Sequence, residues 1–230
     1  MAILYVVATP IGNLEDISLR ALRVLREVKL VAAEDTRKTR RLLNAYDIET
    51  PLTSYHEHSR RARLDYLLGY LEKADLALVS EAGMPGLSDP GYDLIVAAIE
   101  RGISVVSVPG PSAVITALVV SGLPTDQFVY VGFLPRRKGQ RQRLLSSISD
   151  EARTIVAFEA PHRVREALTD IEEILGDRRV SVCRELTKVH EEVFRGRVGQ
   201  AREHFAEPRG EFSLVIEGKT RAWLKFQERS

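Results

Sequence analysis

The sequence predicts an α/β protein of two α/β domains, the first built on a mainly parallel sheet and the second on a mixed one. Three observations carry that prediction. Short apolar runs, among them Leu4-Tyr-Val-Val-Ala8, Leu30-Val-Ala-Ala33 and Asp75-Leu-Ala-Leu-Val79, alternate with amphipathic segments of helical period. Strands that read as continuously apolar are covered on both faces, as in a parallel sheet wrapped by helices. Gly/Pro loops follow three of the strands: Thr9-Pro-Ile-Gly-Asn13, Ser80 to Gly91, and Pro109-Gly-Pro-Ser112. Past Gly122-Leu-Pro124 the strands come at shorter intervals, which suits a mixed sheet. The predicted domains are residues 1–115 and 116–220, with the change of pattern between Ser112 and Gly122 and a tail at 221–230.

Element by element, Ile3 to Ala8 is a short buried strand. Ser18 is placed to cap a helix in which Leu19, Leu22, Leu25 and Val28 recur at helical spacing. Leu30–Ala33 is the second strand, and Arg37 to Tyr46 a basic amphipathic segment. Glu57 to Lys73 reads as a longer helix with Leu64, Leu67, Leu68 and Leu71 on one side. Two more strand–loop–helix units reach Gly122. In the second half, Phe128–Gly132, Thr154–Phe158, Val180–Arg184, Glu192–Arg197 and Phe212–Glu217 read as strands. Pro161 to Leu175 is a helix with proline in its tolerant first turn, and a short helix lies near Gln200 to Phe205.

Composition narrows the class. Apolar residues make up 44% of the chain and charged ones 28%, as in ordinary globular proteins, and the net charge of +1 supplies no global field for nucleic acid. Any basic surface is therefore local. One cysteine, Cys183, excludes an internal disulfide and a multi-cysteine zinc site, and reads as a small buried strand residue. With no cationic lead before a long apolar stretch, and no apolar run of spanning length, the sequence predicts a cytoplasmic protein.

The three Gly/Pro loops leave strand ends, where open α/β sheets place ligands, and main-chain groups can approach a ligand closely there. The first loop lacks G-x-G-x-x-G, no Walker loop is present, and no G-x-S-x-G or Cys–His pairing points to covalent hydrolysis. His56-Glu-His58 alternates without a metal-binding face, so no metal is expected. Three basic runs stand out. Arg136 to Arg143 holds five basic residues and no acid (Arg136, Arg137, Lys138, Arg141 and Arg143), and Arg37 to Arg41 and Arg60-Arg61-Ala-Arg63 are the others. Such runs fit either phosphate-backbone contact or a solvated helix face. Glu159-Ala-Pro-His-Arg163 and Arg184 to Glu191 put charged groups at two further strand ends, as a site or as capping clusters.

Taken together, Ala8 to Asp16, Ala33-Glu-Asp-Thr-Arg37, Ser54-Tyr-His-Glu-His58, Ser80 to Gly91, Val108 to Ala113, Gly132-Phe-Leu-Pro135, Phe158 to Arg163, Arg184-Glu-Leu-Thr-Lys188 with His190-Glu191, and Gly210-Glu-Phe212 resemble a known family. It is the ribosomal RNA small-subunit methyltransferase I family, 16S rRNA cytidine 2′-O-methyltransferases of the tetrapyrrole methylase superfamily. The resemblance runs in order from about Ile3 to Gly218. Relatives often have Asp where this chain has Glu81 and Thr where it has Met84.

The resemblance implies S-adenosylmethionine in a cleft between two α/β domains of the tetrapyrrole methylase type, a homodimer, and 16S rRNA in the small ribosomal subunit as partner. By analogy Pro10, Gly12 and Asn13 hold the cofactor, with Ala82, Gly83, Met84, Pro85, Leu87 and Ser88 of the second loop. Pro109, Gly110, Ser112 and Ala113 complete that side, and Phe133, Leu134, Ala160 and Leu186 close over it. Methyl transfer to a ribose hydroxyl gains from a positioned base, for which Glu159, His162, Glu185 and Lys188 are placed by motif. Of these Glu185, with Lys188 as its partner, is the reading favoured. The target nucleotide must be splayed from its neighbours, and Tyr55, Tyr130 or Phe133 offers a stacking surface or a core residue. A tetrapyrrole-precursor methyltransferase and a non-catalytic RNA-binding ribosome factor are the alternatives.

Overall fold

Strict alternation along the strands divides the apolar residues of the first half between two faces. The structure, a computed structural model, describes residues 2–55 and 60–219, without the side chains of Arg60 and Arg61. It divides into one unit ending at Ser112 and a second beginning at Ala113. The expectations for His56, Glu57, His58 and the tail at 221–230 fall outside the described residues.

The first unit is a five-stranded parallel sheet of β1 (Ile3–Val7), β2 (Leu30–Ala33), β3 (Leu52–Ser54), β4 (Leu76–Val79) and β5 (Ser104–Val108), in the order β3-β2-β4-β1-β5. Val31, Ala33, Ala77 and Val79 face α1 (Leu19–Glu27) and α2 (Thr36–Ala45). Leu30, Ala32, Leu76 and Leu78 face α3 (Arg60–Leu71) and α4 (Tyr92–Glu100) on the other side. Period-two alternation thus becomes two apolar layers on one sheet. Ser18 caps α1 by accepting a hydrogen bond from Ala21 N at 3.1 Å, and Asp35 caps α2 by accepting from Arg37 N at 2.8 Å.

The consequence for a site lies at β1 and β4. These strands are neighbours, yet β1 leads into α1 on one face and β4 into α4 on the other. Their exits part in opposite directions, which opens a crevice at the carboxyl ends of the strands. The short strand β3 has no counterpart in the sequence reading. It is three residues long, half-buried and at the sheet edge, too short and too polar to show period two.

The second unit begins with α5 (Ala113–Val120). Its sheet holds β6 (Phe128–Phe133), β7 (Thr154–Glu159), β8 (Arg179–Arg184), β9 (Glu192–Arg197) and β10 (Phe212–Ile216), in the order β6-β7-β10-β8-β9. β6 runs parallel to β7, while β10 is antiparallel to both β7 and β8, and β9 to β8. The sheet is therefore mixed. Ile155, Ala157, Val180, Val182, Leu214 and Ile216 pack under α7 (Val164–Leu175) and α8 (Val198–His204), and α5 lies against β10 and β7. The helix expected from Pro161 opens as a 3-10 turn, Pro161–Arg163, before α7. The basic run at 136–143 becomes α6 (Lys138–Ser147), a helix the sequence reading did not assign.

Candidate functional site

At the crevice of the first unit, backbone bonds tie the loops together. Thr9 and Gly83 exchange N–H···O bonds of 2.9 and 3.0 Å, and Ala8 N donates to Val108 O at 3.1 Å, so the loops after β1, β4 and β5 lie side by side. Pro10, Gly12 and Asn13 follow Thr9; Asn13 Oδ1 accepts from Glu15 N at 3.1 Å and caps a 3-10 turn. In the β4 loop Gly83 (φ 78°), Gly86 (φ 81°) and Ser88 (φ 64°) are left-handed. Such turns aim successive main-chain groups inward and leave an approach for a ligand. Ala82, Met84 and Pro85 line the same turn, with Leu87 and Ser88 exposed on it. A Cβ on Gly110 would stand 3.0 Å from the Ala8 Cβ, so the β5 loop, with Pro109 and Ser112, passes β1 closely and leaves little room for a side chain.

The sequence reading missed a group of carboxylates at this edge. Glu34 Oε2 accepts from Glu81 N at 3.2 Å, and Glu81 pairs with Lys38 of α2. Burial pushes Glu34 above the usual carboxylate range, and the Glu81 charge adds to that while the Glu81 N–H and Lys38 oppose it. Asp89 is pushed up to about 6 by burial and by the charges of Glu34 and Glu81, with a hydrogen bond to the Ser80 side chain partly offsetting them. A carboxyl held near neutrality at a sheet edge is the state a proton acceptor needs. Sequence pattern alone could not show this, because Glu34 and Glu81 meet only through the pairing of Ala33 with Val79.

In the second unit the expected residues gather at three strand ends. Phe133 closes β6 after a bulge, half-exposed, its ring edge-on to Phe158 at 5.4 Å; Tyr130 also meets Phe158 edge-on, at 5.2 Å. Leu134 and Leu186 are buried. Glu159 is buried, and its Oε1 accepts from Ala160 N at 2.7 Å and pairs with Arg163 at 2.6 Å. Arg163 also donates to Leu134 O at 3.3 Å, so Glu159 fixes the turn that carries Leu134 and Ala160. Among the described residues its second oxygen has no hydrogen-bond donor although buried, leaving an acceptor for a ligand amine or hydroxyl. Burial raises its pKa, and the Ala160 N–H and Arg163 moderate the shift. His162 is exposed beside it.

Glu185, just past β8, is held in an ion pair. It adopts φ 51°, and a Cβ at Gly210 would fall 2.5 Å from its Cγ, so glycine makes room for this carboxylate. Its Oε1 accepts from Lys188 Nζ at 2.9 Å and from Glu211 N at 2.8 Å, while Lys188 Nζ also pairs with Glu211 at 2.9 Å. Burial alone would raise Glu185, but the Lys188 and Glu211 hydrogen bonds outweigh it and hold its pKa below the usual value. Burial alone would lower Lys188, yet its two carboxylate partners leave it raised. The pair is an oriented ammonium ion with a weakly basic carboxylate.

The basic runs divide. Arg136, Arg137, Lys138 and Arg143 are exposed, as is Arg37, whose guanidinium is 3.6 Å from Asp35. Arg141 is not a surface contact, which corrects the expectation drawn from its run. Only 1% exposed, it binds Asp170, equally buried, through Nε and Nη2 at 2.6 Å each. Buried Arg needs such a partner, and here α6 supplies the charge to α7 rather than to a ligand. Among the described residues no cluster of three His, Cys, Asp or Glu could hold a metal ion, and no helix is long and apolar enough to cross a membrane.

With this geometry in place, comparison with known proteins is informative. Residues 3–202 match the family described as Tetrapyrrole (Corrin/Porphyrin) Methylases. The chain is 51% identical over 219 residues to "Ribosomal RNA small subunit methyltransferase I" of Halalkalibacterium halodurans, covering 94% of this chain and 75% of that one. It is also 51% identical over 222 residues to the protein of that name from Thermotoga maritima, covering 95% of this chain and 100% of the relative. Among solved structures, a diphthine synthase superposes with TM-score 0.73 at 15% identity, covering 98% and 94% of the two chains. Uroporphyrin-III-C-methyltransferase from Thermus thermophilus gives 0.65 at 21% identity, with 94% of each covered. At these identities the structural likeness speaks for the fold alone.

Proposed function

The chain belongs to the tetrapyrrole methylase family and, within it, to the ribosomal RNA small subunit methyltransferase I family, and on that premise we propose that it methylates the 2′-oxygen of a cytidine ribose in 16S rRNA. The target lies in the decoding region of the small ribosomal subunit, and the enzyme works in the cytoplasm as a homodimer. The observation that carries this reading is 51% identity across nearly the whole chain. The likeness to a uroporphyrin methyltransferase is one of fold, and gives a tetrapyrrole substrate no comparable support.

The methyl donor of this family is S-adenosylmethionine, and the residues present fit it. In the first unit the left-handed turns at Gly83 and Gly86 expose main-chain groups to a ligand. Bound there, the cofactor supplies an electrophilic methyl group on a sulfonium centre. Within the first unit we assign its binding to Pro10, Gly12, Asn13, the loop from Ala82 to Ser88, and Pro109 to Ser112; for Ala113, Phe133, Leu134, Ala160 and Leu186 of the second unit the assignment follows the family resemblance. The chain's other task is to take the proton from the ribose hydroxyl. Asp89 suits it, being ionised at neutral pH yet basic enough to accept a proton. Within the second unit Glu185 orients Lys188 through their 2.9 Å ion pair, and an ammonium held in this way can stabilise negative charge on a substrate.

The test of the function is calorimetric titration with S-adenosylmethionine, followed by transfer of labelled methyl to small subunits lacking the modification. Label on a cytidine 2′-oxygen supports the reading; cofactor binding without transfer to any subunit refutes it. The assignment within the second unit has its own test. Glu185→Gln is expected to lower kcat about tenfold and leave the pH profile in place, because it disturbs only the orientation of Lys188. A loss of roughly 10²–10⁴-fold, the size that general-base removal gives, would return the proton to Glu185.

A further inference from the structure

We infer that a cavity of about 650 Å³ at the outer edge of the first sheet binds the phosphodiester backbone of the substrate RNA strand. The inference rests on the rRNA methyltransferase reading and adds to it a site separate from the cofactor loops. Thr36, Arg37 and Arg40 of α2, Thr53 and Ser54 of β3, and Arg63 of α3 line this cavity. Three arginines and three hydroxyl-bearing residues line it, and no carboxylate is among the lining residues. Along the chain the two basic runs are candidates for phosphate contact, but their convergence is not visible, and the hydroxyls of β3 belong to a strand the sequence did not announce.

The arginines differ in their surroundings, and the difference points to a ligand. Arg37 is exposed and shares Asp35 at 3.6 Å. Arg40 and Arg63 are half-buried, and among the described residues neither has an acidic partner. Withdrawing a guanidinium from water without an anion is unfavourable, so an arriving phosphate gains the pairing the protein leaves unmade. Arg63 is already oriented, since its Nη2 donates to Ser54 Oγ at 3.2 Å and its guanidinium lies 5.6 Å from the Tyr66 ring centre. The planar fork of Arg matches two phosphate oxygens, and neighbouring hydroxyls can donate to others. Thr36 opens α2, so the positive end of that helix adds to the field.

The place in the fold suits a strand presented for chemistry. Ser54 ends β3 and Thr36 follows β2, so the cavity opens at the carboxyl edge that also carries the loops after β1, β4 and β5. A phosphate held there anchors the chain of nucleotides on the edge where the reaction takes place. Phosphate contacts of this kind position a nucleic acid without reading its sequence.

The experiment measures binding of a fluorescent single-stranded RNA oligonucleotide by anisotropy, over a range of salt, for the full chain and for Arg40→Ala/Arg63→Ala. Calorimetric titration with S-adenosylmethionine is run on the same preparations to report the fold. The variant is expected to bind the RNA about 10- to 100-fold more weakly, with a salt slope smaller by about 0.7 for each phosphate it no longer neutralises, and to bind the cofactor as before. Unchanged RNA affinity and slope in the variant would overturn the inference while leaving the methyltransferase reading intact. Loss of cofactor affinity in the variant would assign the cavity to the cofactor and overturn it too. If the unaltered chain bound neither the oligonucleotide nor small subunits, the rRNA reading itself would fall. Inorganic phosphate, titrated at matched ionic strength, separates the remaining source: binding that the variant loses, with RNA affinity kept, would mark a free-anion site and not an RNA site.

Discussion

Arg141→Ala will destabilise the second unit by about 3–5 kcal/mol and leave the salt dependence of RNA binding unaltered. The magnitude follows from what remains. Asp170 is 1% exposed and receives Arg141 through two bonds of 2.6 Å, with Gln142 Nε2 donating to its other oxygen at 3.0 Å. Truncating the arginine strands a carboxylate inside the protein. Gln142, and Lys138 at 3.8 Å from the same Oδ1, are left to hold it, while Oδ2 loses both of its donors. Because the penalty comes from the stranded charge, removing both charges is far milder. Arg141→Met/Asp170→Leu will lie within about 2 kcal/mol of the unaltered protein, as exchanges of buried pairs for apolar groups often do. Urea unfolding followed by circular dichroism gives both numbers. A single-variant loss below about 1 kcal/mol would mean that water reaches the pair. A smaller salt slope for RNA would restore Arg141 to the binding surface. Arg136→Ala/Arg137→Ala should behave oppositely, since both side chains are exposed.

The same residue shows where sequence reasoning stops. Along the chain Arg141 cannot be told from Arg137 or Arg143; all sit in one acid-free run. Their difference is made by Asp170 on α7, brought opposite α6 by the packing of the second sheet. Where the signal is local it was legible. β2 and β9 follow the predicted bounds, because an apolar run and a strand between turn residues are local facts, and Ser18 caps α1 as its spacing implied. The Gly/Pro loops were legible as turns at strand ends for the same reason: a left-handed turn favours glycine wherever it occurs. Convergence was not legible. Glu34 and Glu81 lie 47 positions apart and meet through parallel pairing of β2 with β4, and Arg40 meets Arg63 across α2, β3 and α3. The pairing of Glu185 with Lys188, three positions apart, was legible for the local reason, whereas the backbone N–H that Glu211 adds to the same carboxylate from 26 positions away was not.

Asp89→Asn will abolish most methyl transfer at neutral pH and at the same time make the protein more stable there. The activity side rests on the proton. With a pKa of about 6, Asp89 is ionised at pH 7, and asparagine cannot accept a proton; losing a general base lowers turnover by roughly 10²–10⁴-fold. In the unaltered enzyme kcat/KM should fall tenfold per pH unit below about 6, where Asp89 becomes protonated. The stability side has a definite sign. The folded pKa lies above the model-compound value of 3.8, so between the two the folded state binds more protons than the unfolded one. Stability then decreases as pH rises through that window, and the ionised form is a net strain on the fold at pH 7. For a half-buried group, solvent screening reduces the full linkage value to about 1–2 kcal/mol. Asparagine carries no such charge, so the variant should exceed the unaltered protein by that amount at pH 7 and lose the advantage near pH 4. Denaturant midpoints at the two pH values check this, and calorimetry with S-adenosylmethionine checks that the lost turnover is not lost cofactor binding. Near-normal turnover of the variant at pH 7, or an unaltered enzyme with a flat profile from pH 5 to 8, would remove Asp89 from the reaction. A stability gain without an activity loss would leave it a strained carboxylate of the loop, and the proton would then have to leave through Glu185 after all.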